Sequence, residues 1–143
     1  MNDSDFLDDF ELPYEEEEIF PAGEYVFRIT EARIGPEKNF KDESSPYITV
    51  FLTAVTEDGA IFQEKFRVAN RKNGKIKRNK GRAKAFSNFL CTVLETGGLA
   101  TNAENVTELI GRYFECEITH NKASNGTTFA NINVYTVNAV DGF

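Results

Sequence analysis

Apolar and polar positions alternate with a period of two over most of this chain, the pattern of half-buried strands. Between Glu24 and Ile34, Tyr25, Phe27 and Ile29 alternate with Val26, Arg28 and Thr30, predicting a first strand with one apolar and one mixed face. The polar stretch from Gly35 to Pro46 reads as a long loop. Tyr47 to Thr56 is rich in β-branched and aromatic residues and predicts a second strand, with Ile48, Val50, Leu52 and Ala54 inward and Tyr47, Thr49, Phe51 and Thr53 outward. Glu57-Asp58-Gly59 is a hairpin signal. Ala60 to Val68 returns as a third strand, with Phe62 and Phe66 on one face and Gln63, Lys65 and Arg67 on the other.

From Asn70 to Gly81 neither period holds, and the segment reads as a loop. The pattern then turns helical: Ala83, Phe86, Leu90, Val93 and Leu94 recur at spacings of three and four, and Gly97-Gly98 supplies the stop. Ala103 to Ile110 adds a short helical turn. Arg112 to His120 predicts a fourth strand, with Phe114, Cys116 and Ile118 inward. After the Asn125-Gly126 turn, Thr128 to Asn138 predicts a fifth, with Ala130, Ile132 and Val134 on one face and Phe129, Asn131, Asn133 and Tyr135 on the other. One helix lodged between the third and fourth of five strands predicts an all-β chain with the five-stranded OB-fold, a partly open Greek-key barrel, with a helix-capped antiparallel sandwich as the alternative.

At 143 residues the chain has room for one ordinary domain, and 41% hydrophobic with 27% charged residues is globular composition. The net charge of −7 argues against a polyanionic ligand until the charges are located. Nine of the 23 acids lie in residues 1–18 with no base among them, leaving 14 acids against all 16 bases, a body of +2. Residues 1–19 therefore read as a disordered acidic tail and residues 20–143 as the folded domain. Within the domain, Lys65 to Leu94 carries ten bases and no acid: Lys65, Arg67, Arg71, Lys72, Lys75, Lys77, Arg78, Lys80, Arg82 and Lys84.

No side-chain pattern points to catalysis, a metal or a cofactor. The sole histidine, His120, has no acid or cysteine pattern around it, and the chain shows no phosphate loop, paired histidine ligands or nucleophile elbow. Cys91 and Cys116 sit in no ligand spacing and read as buried free thiols. No apolar run approaches the ~20 residues that span a bilayer, and the acidic N-terminus lacks an export signal, so the expected compartment is the cytoplasm.

The acid-free basic run points instead to nucleic acid, because clustered Lys and Arg displace the counterions of a phosphate backbone. Single strands also need rings on which bases stack, and OB-folds present these on the second and third strands and flanking loops. Tyr47 and Phe51 lie there beside Lys65 and Arg67. Phe40 and Lys41 flank them in the first long loop, Lys122 lies in the last loop, and Phe129 and Tyr135 share the polar face of the fifth strand. The expected function is sequence-independent binding of single-stranded DNA. An OB-fold protein-interaction or assembly module, and RNA binding, are the alternatives.

Three stretches carry a family resemblance. Pro21-Ala22-Gly23-Glu24-Tyr25-Val26-Phe27-Arg28-Ile29 and Leu109-Ile110-Gly111-Arg112-Tyr113-Phe114-Glu115-Cys116-Glu117-Ile118 are similar to the start and fourth strand of phage-encoded single-stranded DNA-binding proteins, and Thr128-Phe129-Ala130-Asn131-Ile132 resembles their last strand. The resemblance covers about residues 20 to 138. It implies an OB-fold, multimeric or cooperative coating of single strands, a role in phage DNA replication or recombination, and residence in the host cytoplasm; it carries over no catalytic residue. Proteins of this functional class in bacteria commonly end in an acidic tail with a terminal Phe. Here the chain ends Asp141-Gly142-Phe143, and its acidic-aromatic material, Asp5-Phe6-Leu7-Asp8-Asp9-Phe10, lies at the other end. The tail reads as a competitor for the basic segment, as a docking motif for replication or recombination proteins, or as a solubilising segment with no partner.

Overall fold

A computed structural model describes residue 11 and residues 19–143. The expectation of a disordered tail falls outside the described residues. The domain is all-β: one curled antiparallel sheet of six strands, with two helices. In chain order these are β1 (Gly23–Glu37), β2 (Tyr47–Val55), β3 (Ile61–Lys72), β4 (Lys75–Arg78), α1 (Lys80–Leu94), α2 (Ala103–Thr107), β5 (Tyr113–Lys122) and β6 (Thr128–Val140). The strands lie side by side in the order β4-β3-β2-β1-β5-β6. The five long strands and the helix before β5 thus follow the expected OB arrangement, and β4 is an addition to it.

β1 explains the curl. Its first half, Gly23 to Arg28, pairs with β5, and its second half, Arg28 to Glu37, pairs with β2. A bulge between Ile29 and Glu31 bends the strand where it changes partners and reverses its alternation. Phe27 and Ile29 are buried before the bulge, Ala32 after it, and Arg33 and Glu37 turn to the outer face with the residues opposite them. The long loop is correspondingly shorter than the sequence suggests, since β1 runs on through Gly35 and Pro36 to Glu37.

The inner face closes over α1. Phe86, Phe89, Leu90 and Val93 form the helix's buried stripe, at the spacing one helical face requires. Phe89 stacks edge-on to Phe114 of β5 at 5.0 Å and lies 5.8 Å from Phe66 of β3, so one ring ties both sides of the barrel to the helix. The helix stops at Glu95, in the left-handed region at φ 55°, with the Thr96 N–H donating to the Cys91 carbonyl at 3.0 Å. That is two residues before the glycines expected to end it. Val106 and Leu109 bury the short α2 segment, which packs on β1.

Both cysteines are free; Cys116 is buried and Cys91 half-buried. Burial, with the charges of Glu64 and Glu117 nearby, pushes the Cys116 thiol up to about 12. Among the described residues no helix is long and apolar enough to cross a membrane.

Candidate nucleic-acid interface

The outer face of β1, β2 and β3 carries three cross-strand rows. Register places Arg33, Phe51 and Lys65 side by side in one, Gly35, Thr49 and Arg67 in the next, and Glu37, Tyr47 and Asn70 in the third. The predicted pairing of Tyr47 and Phe51 with Lys65 and Arg67 is therefore brought together. The Arg67 guanidinium lies over the Tyr47 ring at 4.6 Å, and Lys65 Nζ stands 5.8 Å from the Phe51 ring. Arg33 joins them at 4.0 Å over Phe51, the closest cation–ring contact of the face.

Glu37 lies at the centre of this basic surface. Its carboxylate accepts from Lys65 Nζ and Arg67 Nε, each at 2.9 Å, from a second Arg67 nitrogen at 3.3 Å, and from the buried Thr49 hydroxyl at 2.9 Å. Burial alone would raise its carboxyl, but the hydrogen bonds from Arg67, Lys65 and Thr49 outweigh that and hold it at about 2. Glu37 is thus ionised at any physiological pH and neutralises part of the charge of Lys65 and Arg67.

The basic run beyond β3 is not a loop. Lys72 pairs with Lys75, Arg71 with Ile76, Asn70 with Lys77 and Ala69 with Arg78, joined by Asn73-Gly74 at φ 51° and 73°. Two consecutive left-handed residues make the tight turn that a two-residue hairpin needs. The hairpin has two chemically different faces. Asn70 is opposite Tyr47 on β2, so Lys72, Lys75 and Lys77 continue the face of Tyr47 and Arg67, whereas Arg71, Ile76 and Arg78 point to the other side. Lys72 Nζ contacts Asp42 at 3.4 Å, and the remaining hairpin cations are exposed.

Three of the predicted cations belong to α1. Lys80 and Lys84 are exposed on its first turns. Arg82 turns back onto β3, where it donates to the Lys65 carbonyl at 2.8 Å and lies 4.7 Å over the Phe66 ring. Its guanidinium holds the helix to the sheet while the residue stays exposed, beside Lys65 at the edge of the ring and cation cluster.

The other predicted positions stand apart. Phe40, 84% exposed, and Lys41 lie in the β1–β2 loop, which Asn39 organises by bonding the Ser45 carbonyl and the Lys41 N–H. Lys122 is exposed at the end of β5. Phe129 and Tyr135 are exposed on β6, and no ring or cation contact among the described residues joins them to the cluster. Tyr135 sits where the β5–β6 pairing jumps from Glu117–Asn133 to Glu115–Asn138, which breaks the alternation that put it on one face with Phe129.

No protein-family model matches the chain, and no curated protein shows significant similarity to it.

Proposed function

We propose that this chain binds single-stranded DNA without sequence preference, as a non-catalytic protein of phage DNA replication or recombination. The observation that carries this reading is one continuous outer face, on which Arg33, Lys65 and Arg67 lie against Phe51 and Tyr47 and Lys72, Lys75 and Lys77 extend the charge along the hairpin. Flat rings with guanidinium planes on them offer unpaired bases stacking surfaces, and the lysines offer the backbone its counterions. A duplex presents no free base faces, so the same surface favours single strands.

The test is a gel shift with oligo-dT, its duplex and oligo-U, followed by a tyrosine-fluorescence titration. With no Trp in the chain, quenching reports the Tyr residues directly. Preference for oligo-dT, weakened by salt and accompanied by quenching that Tyr47→Phe reduces, is the expected result. Preference for oligo-U redirects the reading to RNA. No shift with any of the three at low salt overturns it in favour of a protein-interaction role.

A further inference from the structure

The far side of the β3–β4 hairpin has a different chemistry. Between it, the first turns of α1 and residues 99–101 lies a cleft of about 800 Å³. Ile48, Ile76 and Leu99 contribute to an apolar floor, and Arg78, Lys80 and Lys84 stand along its rim. Ile76 is 62% exposed on a strand whose other residues are all cationic. None of the three rim cations has a carboxylate partner among the described residues.

Residues 1–10 of the same chain have the complementary composition. They hold Phe6, Leu7 and Phe10 among four acids, Asp3, Asp5, Asp8 and Asp9, with no base. The chain leading to them starts at Ile19, which lines a hollow with Thr56, Ala60 and Ile61 at the β2–β3 turn. From Ile61 to Arg71, the partner of Ile76, is ten residues of strand, about 33 Å. Nine residues of extended chain from Ile19 back to Phe10 reach about 30 Å. The span matches.

We propose that the cleft is a docking site for this chain's own Asp5–Phe10 segment. Phe6 and Phe10 cover the apolar floor, and Asp5, Asp8 and Asp9 meet Arg78, Lys80 and Lys84. This goes beyond the single-strand reading and does not depend on it. The docked segment occupies the hairpin face opposite Lys72, Lys75 and Lys77 and leaves that row open.

The experiment uses the full chain with a photo-crosslinking phenylalanine analogue at position 10, the same analogue at position 40 serving as the exposed control. The expected product has monomer mass and joins position 10 to peptides containing Ile76 or Leu99. Lys80→Glu with Lys84→Glu lowers its yield about fivefold, as loss of two exposed ion pairs predicts. Product of dimer mass, product scattered over the surface, or a yield no higher than the control overturns the proposal. In a second measurement, Phe6→Asp with Phe10→Asp is expected to speed amide exchange at residues 75–78 and 99–101. Unchanged exchange there overturns it, whatever the protein does with DNA.

Discussion

The carboxylate of Glu64, on β3, accepts the backbone N–H of Ile132, on β6, at 2.9 Å. These are the two long strands that a closed barrel of this order would pair, and no ladder joins them. Among the described residues, the Glu64 carboxylate bridges the seam instead. The same carboxylate accepts from the Asn131 amide at 3.1 and 3.3 Å and from the Lys65 N–H at 3.1 Å. Glu64 is only 6% exposed, so it closes the barrel from the core side, behind the candidate interface.

Removing that carboxylate should open the seam. Glu64→Ala leaves the Ile132 N–H and the Asn131 amide without their acceptor, at an expected cost of about 1–3 kcal/mol in urea unfolding. Glu64→Gln keeps the shape and one acceptor oxygen and should cost less. The pH dependence has a defined sign. Burial raises the Glu64 carboxyl above its ordinary 4.5, against the Ile132 N–H, the Arg82 charge, the Lys65 N–H and the Asn131 amide. The folded protein therefore binds this proton more readily than the unfolded chain does. The stability of the native protein relative to the Gln variant should rise as pH falls from 7 toward 4.5. A difference that stays flat across that range rejects the role given to burial.

Glu37 predicts the opposite slope in a separate window. Its carboxyl is held at about 2 in the fold against 4.5 as an ordinary Glu. Its contribution is complete above 4.5 and is lost as pH falls from there toward 2. Glu37→Gln should cost about 1 kcal/mol at neutral pH, because its partners are exposed, and progressively less as pH falls through 2. On the single-strand reading the same variant releases Lys65 and Arg67 to phosphate. Binding of oligo-dT should tighten, and its salt slope should steepen by about 0.7 for each additional phosphate neutralised. Unchanged affinity at low salt would show that Glu37 does not compete with the ligand.

The long strands and the helix were legible because their alternation is regular, and the difficulties lie where it breaks. The bulge between Ile29 and Glu31 moves Arg33 to the outer face, a reversal that no period-two reading of β1 contains. Glu37 was hidden behind Gly35-Pro36, which reads as a loop but continues the strand. The hairpin was hidden because Ile76 is its one apolar residue, although Asn73-Gly74 is the same turn signal that Asn125-Gly126 gave. Glu64 was within reach. It falls between Phe62 and Phe66 on the core side of β3, where an acid needs a partner.

The rings and the lysines should fail differently. Tyr47→Leu and Phe51→Leu each remove a stacking surface and should weaken oligo-dT binding by about 1–3 kcal/mol, with little change in salt slope. Lys75→Ala and Lys77→Ala should each lower the slope by about 0.7, and equally for oligonucleotides of different sequence. Fluorescence titrations over a range of salt concentrations separate the two classes. A ring variant that changes only the slope, or a lysine variant selective for one sequence, contradicts the assignment.

The hairpin itself can be unfastened without touching a cation. Gly74 has φ 73°, and a Cβ there would meet nothing within 4 Å, so the cost of Gly74→Ala is backbone strain alone. That cost is about 1–2 kcal/mol. All four residues of β4 are exposed and pair with β3 only, so the strain should be relieved by opening β4 rather than by loosening the core. Hydrogen exchange should accelerate at Lys75–Arg78 and stay unchanged in the half of β1 that pairs with β5. Affinity for oligo-dT should fall modestly at an unaltered salt slope, because the lysines remain but are no longer held in line with Tyr47 and Arg67. Faster exchange spread evenly over the sheet would instead make β4 part of the cooperative core, and the order of the lysine row would then be inseparable from the stability of the barrel.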